Sequence, residues 1–187
     1  MKKLIILAFI ICSNWINAQT QAAFKSPIDE ASNLITYAEV MDFKGLPADT
    51  LYRRLNSWFK KFYKNPTEVI KSNEADKRTI VGQHKFKIYK PDPAAKKGET
   101  KTVEAGLIDY TITVVCRENR ARYEITRFNW KQNSYYPAER WLDAKTPNYD
   151  VVIFNGYLKQ IEDYVKLLRK DLEETLDKAP VVKKDEW

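Results

Sequence analysis

The sequence predicts an α+β domain in which an antiparallel, twisted sheet of about five strands carries two helices on one face. Three observations favour this class. Residues Gly106–Trp130 alternate apolar and polar side chains on either side of a tight turn, and two stretches, Ala48–Tyr63 and Tyr157–Lys178, repeat apolar residues at helical spacing. In chain order the elements run strand, helix, four strands, helix.

The first residues have the three-part layout of a secretory signal peptide. Two lysines precede an unbroken apolar run, Leu4–Cys12, and the small residue Ala18 ends the segment. This run is too short for a membrane-spanning helix. We therefore expect cleavage after Ala18, export to the periplasm or cell surface, and no transmembrane span in the mature chain. A cut near residues 22–23 is the alternative.

Composition limits the chemistry that the chain can perform. Removing residues 1–18 takes two lysines and no acid from 32 Lys+Arg and 25 Asp+Glu, which leaves a formal charge of +5. This mild excess suits weak attraction to anionic surfaces. His84 and Cys116 would be the only histidine and cysteine of the mature chain. We therefore expect no disulfide within the chain, no metal site and no cofactor.

The predicted domain begins with a strand and a helix. Residues 19–32 are polar and aperiodic and predict a flexible lead-in. Asn33–Phe43 is rich in β-branched and aromatic residues and predicts the first strand. Pro47 then suits the start of a helix over Ala48–Tyr63. The apolar side of this helix consists of Leu51, Leu55, Trp58, Phe59 and Phe62.

Four further strands are predicted. Glu68–Ser72 is short, and Arg78–Lys90 alternates over its whole length, with His84 on the apolar side as a packed, hydrogen-bonded residue. The polar segment Pro91–Glu104 predicts a long exposed hairpin loop. The central hairpin follows, with Glu118–Arg120 at its turn. Its first strand has an apolar side of Ile108, Tyr110, Ile112, Val114 and Cys116.

The C-terminal part predicts an irregular segment and then the longest helix. Pro137–Leu142 suits a helical turn or two, and Asn155 is a candidate N-cap for Tyr157–Lys178. The apolar stripe of this helix consists of Leu158, Ile161, Val165, Leu168, Leu172 and Leu176. We expect the stripe to pack on the sheet, with a coiled-coil dimer as the alternative. Residues 33–178 then form one domain, and 179–187 form a loose tail.

Several motifs resemble one known family. The runs DFKGLPADTLYRRLNSWF, EVIKSNEADKRTIVGQHKF and RARYEITRFNW are similar to an uncharacterised exported bacterial domain family with a TATA-binding-protein-like (TBP-like) fold, domain of unknown function 4468. The resemblance covers Leu34–Trp130 and implies the order β-α-β-β-β-β-α, without a known reaction, cofactor or catalytic residue. DNA binding is not implied, because fold does not fix function. The matching residues are Leu51, Tyr52, Trp58, Phe59, Ile80, Gly82, Arg120, Arg122 and Tyr123.

We predict a binding or scaffolding module, without catalytic residues, that uses the sheet face opposite the helices. A mixture of cations, hydroxyls and aromatic rings there suits an envelope protein, a peptide or an anionic glycan, and not nucleic acid. An ordinary solvated face is the alternative. Strict alternation would turn Arg127 inward unless a bulge frees it. The predicted surface consists of Gln83, Lys85, Lys87, Tyr89, Thr111, Thr113, Arg122, Glu124, Thr126 and Phe128.

Two other functions remain open from the sequence. A structural homodimer would use the C-terminal helix or a sheet edge, so the mature chain is expected to be a monomer or a weak dimer. A hydrolase would use Asp109 or Glu124 on the open face, although a flat sheet without a cleft excludes water poorly. Two such acids in one deep pocket would favour the enzyme.

Overall fold

The structure is a computed structural model that describes residues 22, 24–96, 98–131 and 135–178. The predicted signal peptide and the tail 179–187 lie outside these residues, as does most of 19–23. The strands are β1 (Tyr37–Asp42), β2 (Ile70–Glu74), β3 (Thr79–Pro91), β4 (Thr102–Arg117), β5 (Arg120–Lys131) and β6 (Tyr135–Pro137). The helices are α1 (Ala48–Phe62), α2 (Pro66–Val69) and α3 (Val151–Asp177), with a 3₁₀ helix at Ala138–Leu142.

The strands form one antiparallel sheet in the order β1-β5-β4-β3-β2. The short β6 pairs with the end of β5, at Asn129–Lys131, whereas β1 pairs with its beginning. Five strands were predicted, and β6 is the additional one. The predicted α+β class and its sheet are thus confirmed. No helix in the described ranges combines the length and the apolar character that a membrane span requires.

Both long helices pack on the same face of the sheet. On α1, the fully buried Phe59 lies against β3 at Gly82, where an added Cβ would stand 2.8 Å from its ring. On α3, the Tyr164 ring stacks on Phe86 of β3 with centroids 4.0 Å apart. All six residues of the predicted α3 stripe are buried in this core. So is Cys116, whose thiol pKa burial raises to about 12.

The core contains a row of three phenols that joins the helices to the sheet. The hydroxyl of Tyr63, which follows α1, lies 3.1 Å from that of Tyr110 on β4, and the Tyr110 hydroxyl lies 2.9 Å from that of Tyr164. Burial raises the pKa of all three side chains, so they remain neutral donors and acceptors. His84 packs beside Tyr63, as predicted, but its Nδ1 has no hydrogen-bond partner among the described residues.

The start of α3 differs from the prediction. The helix begins at Val151, and its N-cap is Asp150, whose carboxylate accepts hydrogen bonds from the backbone N–H groups of Val152 and Ile153. The prediction of Asn155 as the cap is therefore wrong. Asn155 is buried inside the helix and binds the N-terminal segment instead, through Ala22 O and Phe24 N at 2.9 Å each.

Three other boundaries also shift. The first strand begins at Tyr37 instead of Asn33, and a turn of helix, α2, occupies part of the predicted strand Glu68–Ser72. The loop predicted over Pro91–Glu104 is shorter, because β3 and β4 remain paired as far as Pro91 and Thr102.

Candidate functional site

The sheet face opposite the helices carries polar side chains from three neighbouring strands. Cross-strand rows run from Gln83 through Thr111 to Thr126, and from Lys85 through Asp109 to Asn129. Nine of the ten predicted surface residues are at least partly exposed. On this face, the exposed ones are Gln83, Lys85, Lys87 and Arg122, and the half-buried ones are Thr111, Thr113, Glu124 and Thr126.

Phe128 is not part of this surface, and its assignment to the open face is wrong. Its ring is fully buried and packs edge-on against Tyr37. The reason is a bulge in β5, where the register passes from Thr126 opposite Thr111 to Asn129 opposite Asp109. Arg127 takes a φ of 59° at this bulge. The extra residue releases Arg127 to solvent and turns Phe128 inward.

Several predicted surface residues already have partners within the chain. Arg122 pairs with Glu124 at 2.7 Å, and Lys87 pairs with Glu104 of β4 at 2.7 Å. The Thr126 hydroxyl lies 2.9 Å from that of Thr36. Exposed ion pairs of this kind contribute little stability, but they reduce the charge that is available for a ligand.

Tyr89 lies away from the centre of the face, beside the first half of α3. The residue is 44% exposed. Its backbone N–H donates to Gln160 Oε1 at 2.9 Å, and its carbonyl accepts from Gln160 Nε2 at 2.8 Å. Tyr89 therefore marks the end of the polar surface rather than its middle.

An open cleft of about 770 Å³ crosses the centre of this face. Its sheet side is lined by open-face residues of β3, β4 and β5: Gln83, Lys85, Asp109, Thr111, Arg127 and Asn129. A wall beyond β3 comes from the segment that runs from the end of α1 into β2: Lys64, Asn65, Glu68, Val69 and Lys71. The structure thus brings together Gln83, Lys85 and Thr111 of the predicted set and adds a wall that was not predicted.

The cleft carries excess positive charge. Lys64, Lys85 and Arg127 make no side-chain hydrogen bond or ion pair with any described residue, while Lys71 binds the carbonyl of Glu68 at 2.8 Å. Glu68 and Asp109 are the acids of the lining. His84 also lines the cleft, and its pKa is lowered, because burial disfavours the charged form and Lys85 repels it. The histidine is therefore neutral near pH 7.

The two acids considered for a hydrolase do not meet in this cleft. Asp109 lines it, whereas Glu124 lies outside it and is paired with Arg122. Across the residues that the structure describes, no group of three or more His, Cys, Asp and Glu side chains is placed to hold a metal ion. The arrangement suits recognition of an anion by lysine and arginine side chains.

Several cleft residues could not be predicted from local sequence patterns. The segment that contains Lys64 and Lys71 reaches β3 only through the turn of α2, which no short-range pattern predicts. Arg127 was the exception, because its conflict with the alternation of β5 already required a bulge. Asn129 shifts to the open face for the same reason.

This geometry defines an α+β domain with a TBP-like fold and an open polar face. The family described as "Domain of unknown function (DUF4468) with TBP-like fold" matches residues 37–131, just over half of the chain. The chain belongs to this family. No curated protein matches the sequence.

Solved structures agree on the fold. A TBP-like protein from Parabacteroides distasonis ATCC 8503 has a TM-score of 0.65 at 16% sequence identity, with 82% of this chain and 98% of that chain covered. A DUF4468 family protein from Bacteroides ovatus ATCC 8483 has a TM-score of 0.63 at 16% identity, with 82% and 92% covered. At this identity the likeness extends to the fold and not to a ligand.

Proposed function

We propose that this chain is an exported, non-catalytic binding module whose anionic ligand lies in the cleft on the open sheet face. The observation that supports this function is the presence in one cleft of Lys64, Lys85 and Arg127, none of which is paired with an acid in the part of the chain that the structure describes. Hydrogen bonds from lysine and arginine to a carboxylate are among the stronger polar contacts in proteins. Carboxylate groups of an acidic peptide or of a uronate-containing glycan supply this chemistry.

The test replaces two of these cations and measures binding to defined anions. The double variant Lys85→Ser/Arg127→Asn removes two charges, and Asn tolerates the positive φ at the bulge. The probes are a blocked hexaglutamate peptide and an oligogalacturonate, titrated by calorimetry at low salt. We expect at least one probe to bind the unmodified protein and to lose about tenfold in affinity with the variant, since each lost charge pair contributes up to ~1 kcal/mol.

A matched control removes the same number of charges elsewhere. Lys60→Ser/Lys61→Ser changes two exposed lysines in the last turn of α1, on the helix side of the sheet. Both double variants have the same net charge, so a general electrostatic effect would weaken binding equally in the two. Equal losses, or no binding of either anion by the unmodified protein, would contradict the proposal.

Export is a separate part of the proposal with its own test. The amino-terminal layout of two lysines, an apolar run and Ala18 supports it. After expression of the full chain in a Gram-negative host, amino-terminal sequencing of the periplasmic fraction is expected to begin at Gln19. Retention of Met1 in the cytoplasmic fraction would contradict export.

The homodimer through α3 has less support than the binding module. The six apolar residues expected to form its seam are buried against the sheet and α1. The large apolar residues that α3 leaves exposed, Val152 and Leu167, lie fifteen positions apart in sequence and form no continuous stripe.

A further inference from the structure

The outer edge of β3 is open along part of its length. Strand β2 pairs with β3 only from Thr79 to Gly82, although β3 continues to Pro91. Among the described residues, the stretch Gln83–Ile88 therefore has β4 on one side and no strand on the other. At about 3.3 Å per residue it presents an edge of roughly 20 Å. Unpaired strand edges are templates for the addition of another strand.

Both ends of this open stretch are closed. At one end, α2 leads into β2, whose pairing with β3 begins at Ile70 opposite Gly82. At the other end, the Gln160 side-chain amide binds both the N–H and the C=O of Tyr89. An amide that pairs with both backbone groups of one residue reproduces the bonding of a neighbouring strand. The edge thus accepts a segment of limited length.

The backbone groups of Lys85 and Lys87 face this gap. In an antiparallel strand the hydrogen-bonding direction alternates from residue to residue, so Lys85 and Lys87 point to the same side as Tyr89. No side chain or loop in the described ranges binds their backbone groups. Their side chains lie on the open face, and those of His84 and Phe86 lie on the helix side. An added strand would meet Lys85 and Lys87, the latter paired with Glu104, on one side and aromatic rings on the other.

We propose that the ligand is an extended acidic segment of a partner polypeptide, which pairs antiparallel with β3 over Gln83–Ile88 as an additional strand. The inference rests on the proposed function and specifies that the anionic ligand is an extended polypeptide. Acidic side chains opposite Lys85 and Lys87 lie on the open face beside the cleft, and apolar side chains between them lie next to Phe86. Backbone hydrogen bonds supply affinity, and the alternating side chains supply specificity.

A second copy of this chain fits the edge poorly. Antiparallel pairing of two β3 edges about a twofold axis would bring the lysines at positions 85 and 87 of one copy close to those of the other. Like charges across a strand pair are destabilising. The positive charge of Lys85 and Lys87 therefore disfavours pairing between two copies and favours pairing with an acidic strand.

The test uses three blocked hexapeptides of alternating Glu and Val. In antiparallel pairing the Glu residues oppose Lys85 and Lys87, so their N–H groups face β3 and those of Val face away. We expect the unmodified peptide and the N-methyl-Val peptide to bind equally, and the N-methyl-Glu peptide to bind about fivefold or more weakly, since a lost hydrogen bond contributes roughly 1 kcal/mol. Calorimetry gives the affinities.

Equal affinities for all three peptides would overturn strand addition. If that shared affinity is still lost in Lys85→Ser/Arg127→Asn, the proposed function stands without it. Binding of oligogalacturonate with no binding of any peptide would likewise overturn strand addition and leave the proposed function standing.

A protein variant provides a second readout. Lys87→Pro removes the N–H that points away from β4. Proline is tolerated at such a position of an edge strand, because the missing N–H belongs to no hydrogen bond of the sheet. Lys87→Ser removes the same charge and keeps the N–H. We expect Lys87→Pro to bind the unmodified peptide about fivefold more weakly than Lys87→Ser. Equal binding by the two variants would overturn the proposal. So would a dimer in sedimentation that Lys87→Pro dissociates, because the occupant would then be a second copy.

Discussion

Arg169 of α3 binds Glu39 of the edge strand β1 through two hydrogen bonds. Its Nε donates to Oε2 at 2.7 Å and its Nη2 donates to Oε1 at 2.8 Å. The Tyr123 hydroxyl also donates to Oε2, at 3.3 Å. These contacts lower the pKa of the Glu39 carboxyl, with the hydrogen bonds from Arg169 as the largest cause. The pair connects the last helix to the first strand of the sheet.

Stability should depend on pH through this pair. A carboxyl whose pKa is lowered by folding stabilises the protein above its unfolded pKa, here 4.5, and this contribution is lost as pH falls through the folded value. Because the pair is partly exposed, Glu39→Gln should lower the free energy of unfolding by at most about 1 kcal/mol near pH 7. Urea titrations at several pH values should show this difference vanishing in acid. A difference that persists at low pH would contradict the assignment.

Gly82 of β3 lies under α1, where there is no room for a side chain. A Cβ at this position would stand 2.8 Å from Phe59 Cε1 and 3.2 Å from Ile112 Cγ2. We expect Gly82→Ala to lower the free energy of unfolding by about 1–3 kcal/mol through overpacking. At Gly156, inside α3, an added Cβ meets nothing within 4 Å, so Gly156→Ala should raise it by about 0.5–1 kcal/mol. Effects of the same sign in urea unfolding would refute this packing account.

The positive φ of Arg127 at the bulge predicts that glycine at this position stabilises the protein. Because its φ is 59°, Arg127→Gly should raise the free energy of unfolding by roughly 1 kcal/mol, and the β-branched Arg127→Val should lower it by at least that amount. Arg122 lies in the regular part of β5, and there Arg122→Gly should be destabilising. Thermal or urea unfolding of the variants measures the difference. Glycine that destabilises equally at both positions would argue against the left-handed conformation.

The two hydrogen bonds of Asn155 are expected to hold the N-terminal segment against α3. Asn155→Ala removes the side-chain partners of Ala22 O and Phe24 N, which should cost about 0.5–1.5 kcal/mol for each hydrogen bond lost. Trypsin should then cleave after the exposed Lys25 faster than in the unmodified protein. The exposed Val152→Ala, in the first turn of the same helix, serves as the control. An unchanged cleavage rate in Asn155→Ala would show that other contacts hold this segment.

Periodicity predicted the elements whose residues all follow one rule. Leu51, Leu55 and Phe59 recur at helical spacing and are buried together, and the alternation of Ile108 to Cys116 places one side of β4 in the core. These patterns work because a single environment acts along the whole element. The open face could be predicted for the same reason, since it carries the residues that alternate with the buried ones along each strand.

The errors occur where a tertiary contact overrides the local rule. Asp150 and Asn155 are both suitable N-caps, and the β-branched residues between them weaken the helical signal of the first turn. Only the position of the N-terminal segment makes Asn155 an internal partner. Likewise, Phe128 turns inward because the bulge adds one residue to β5, and the wall at Lys64–Lys71 depends on how α2 joins α1 to β2.

The three phenols in the core have a consequence for how the domain assembles. Tyr63, Tyr110 and Tyr164 satisfy one another, and each comes from a different part of the chain. If either long helix detached, the Tyr110 hydroxyl would lose one of its two partners, at a cost of about 0.5–1.5 kcal/mol for the lost hydrogen bond. Partly docked states are penalised in this way, so the two helices and the sheet are expected to unfold in a single cooperative transition.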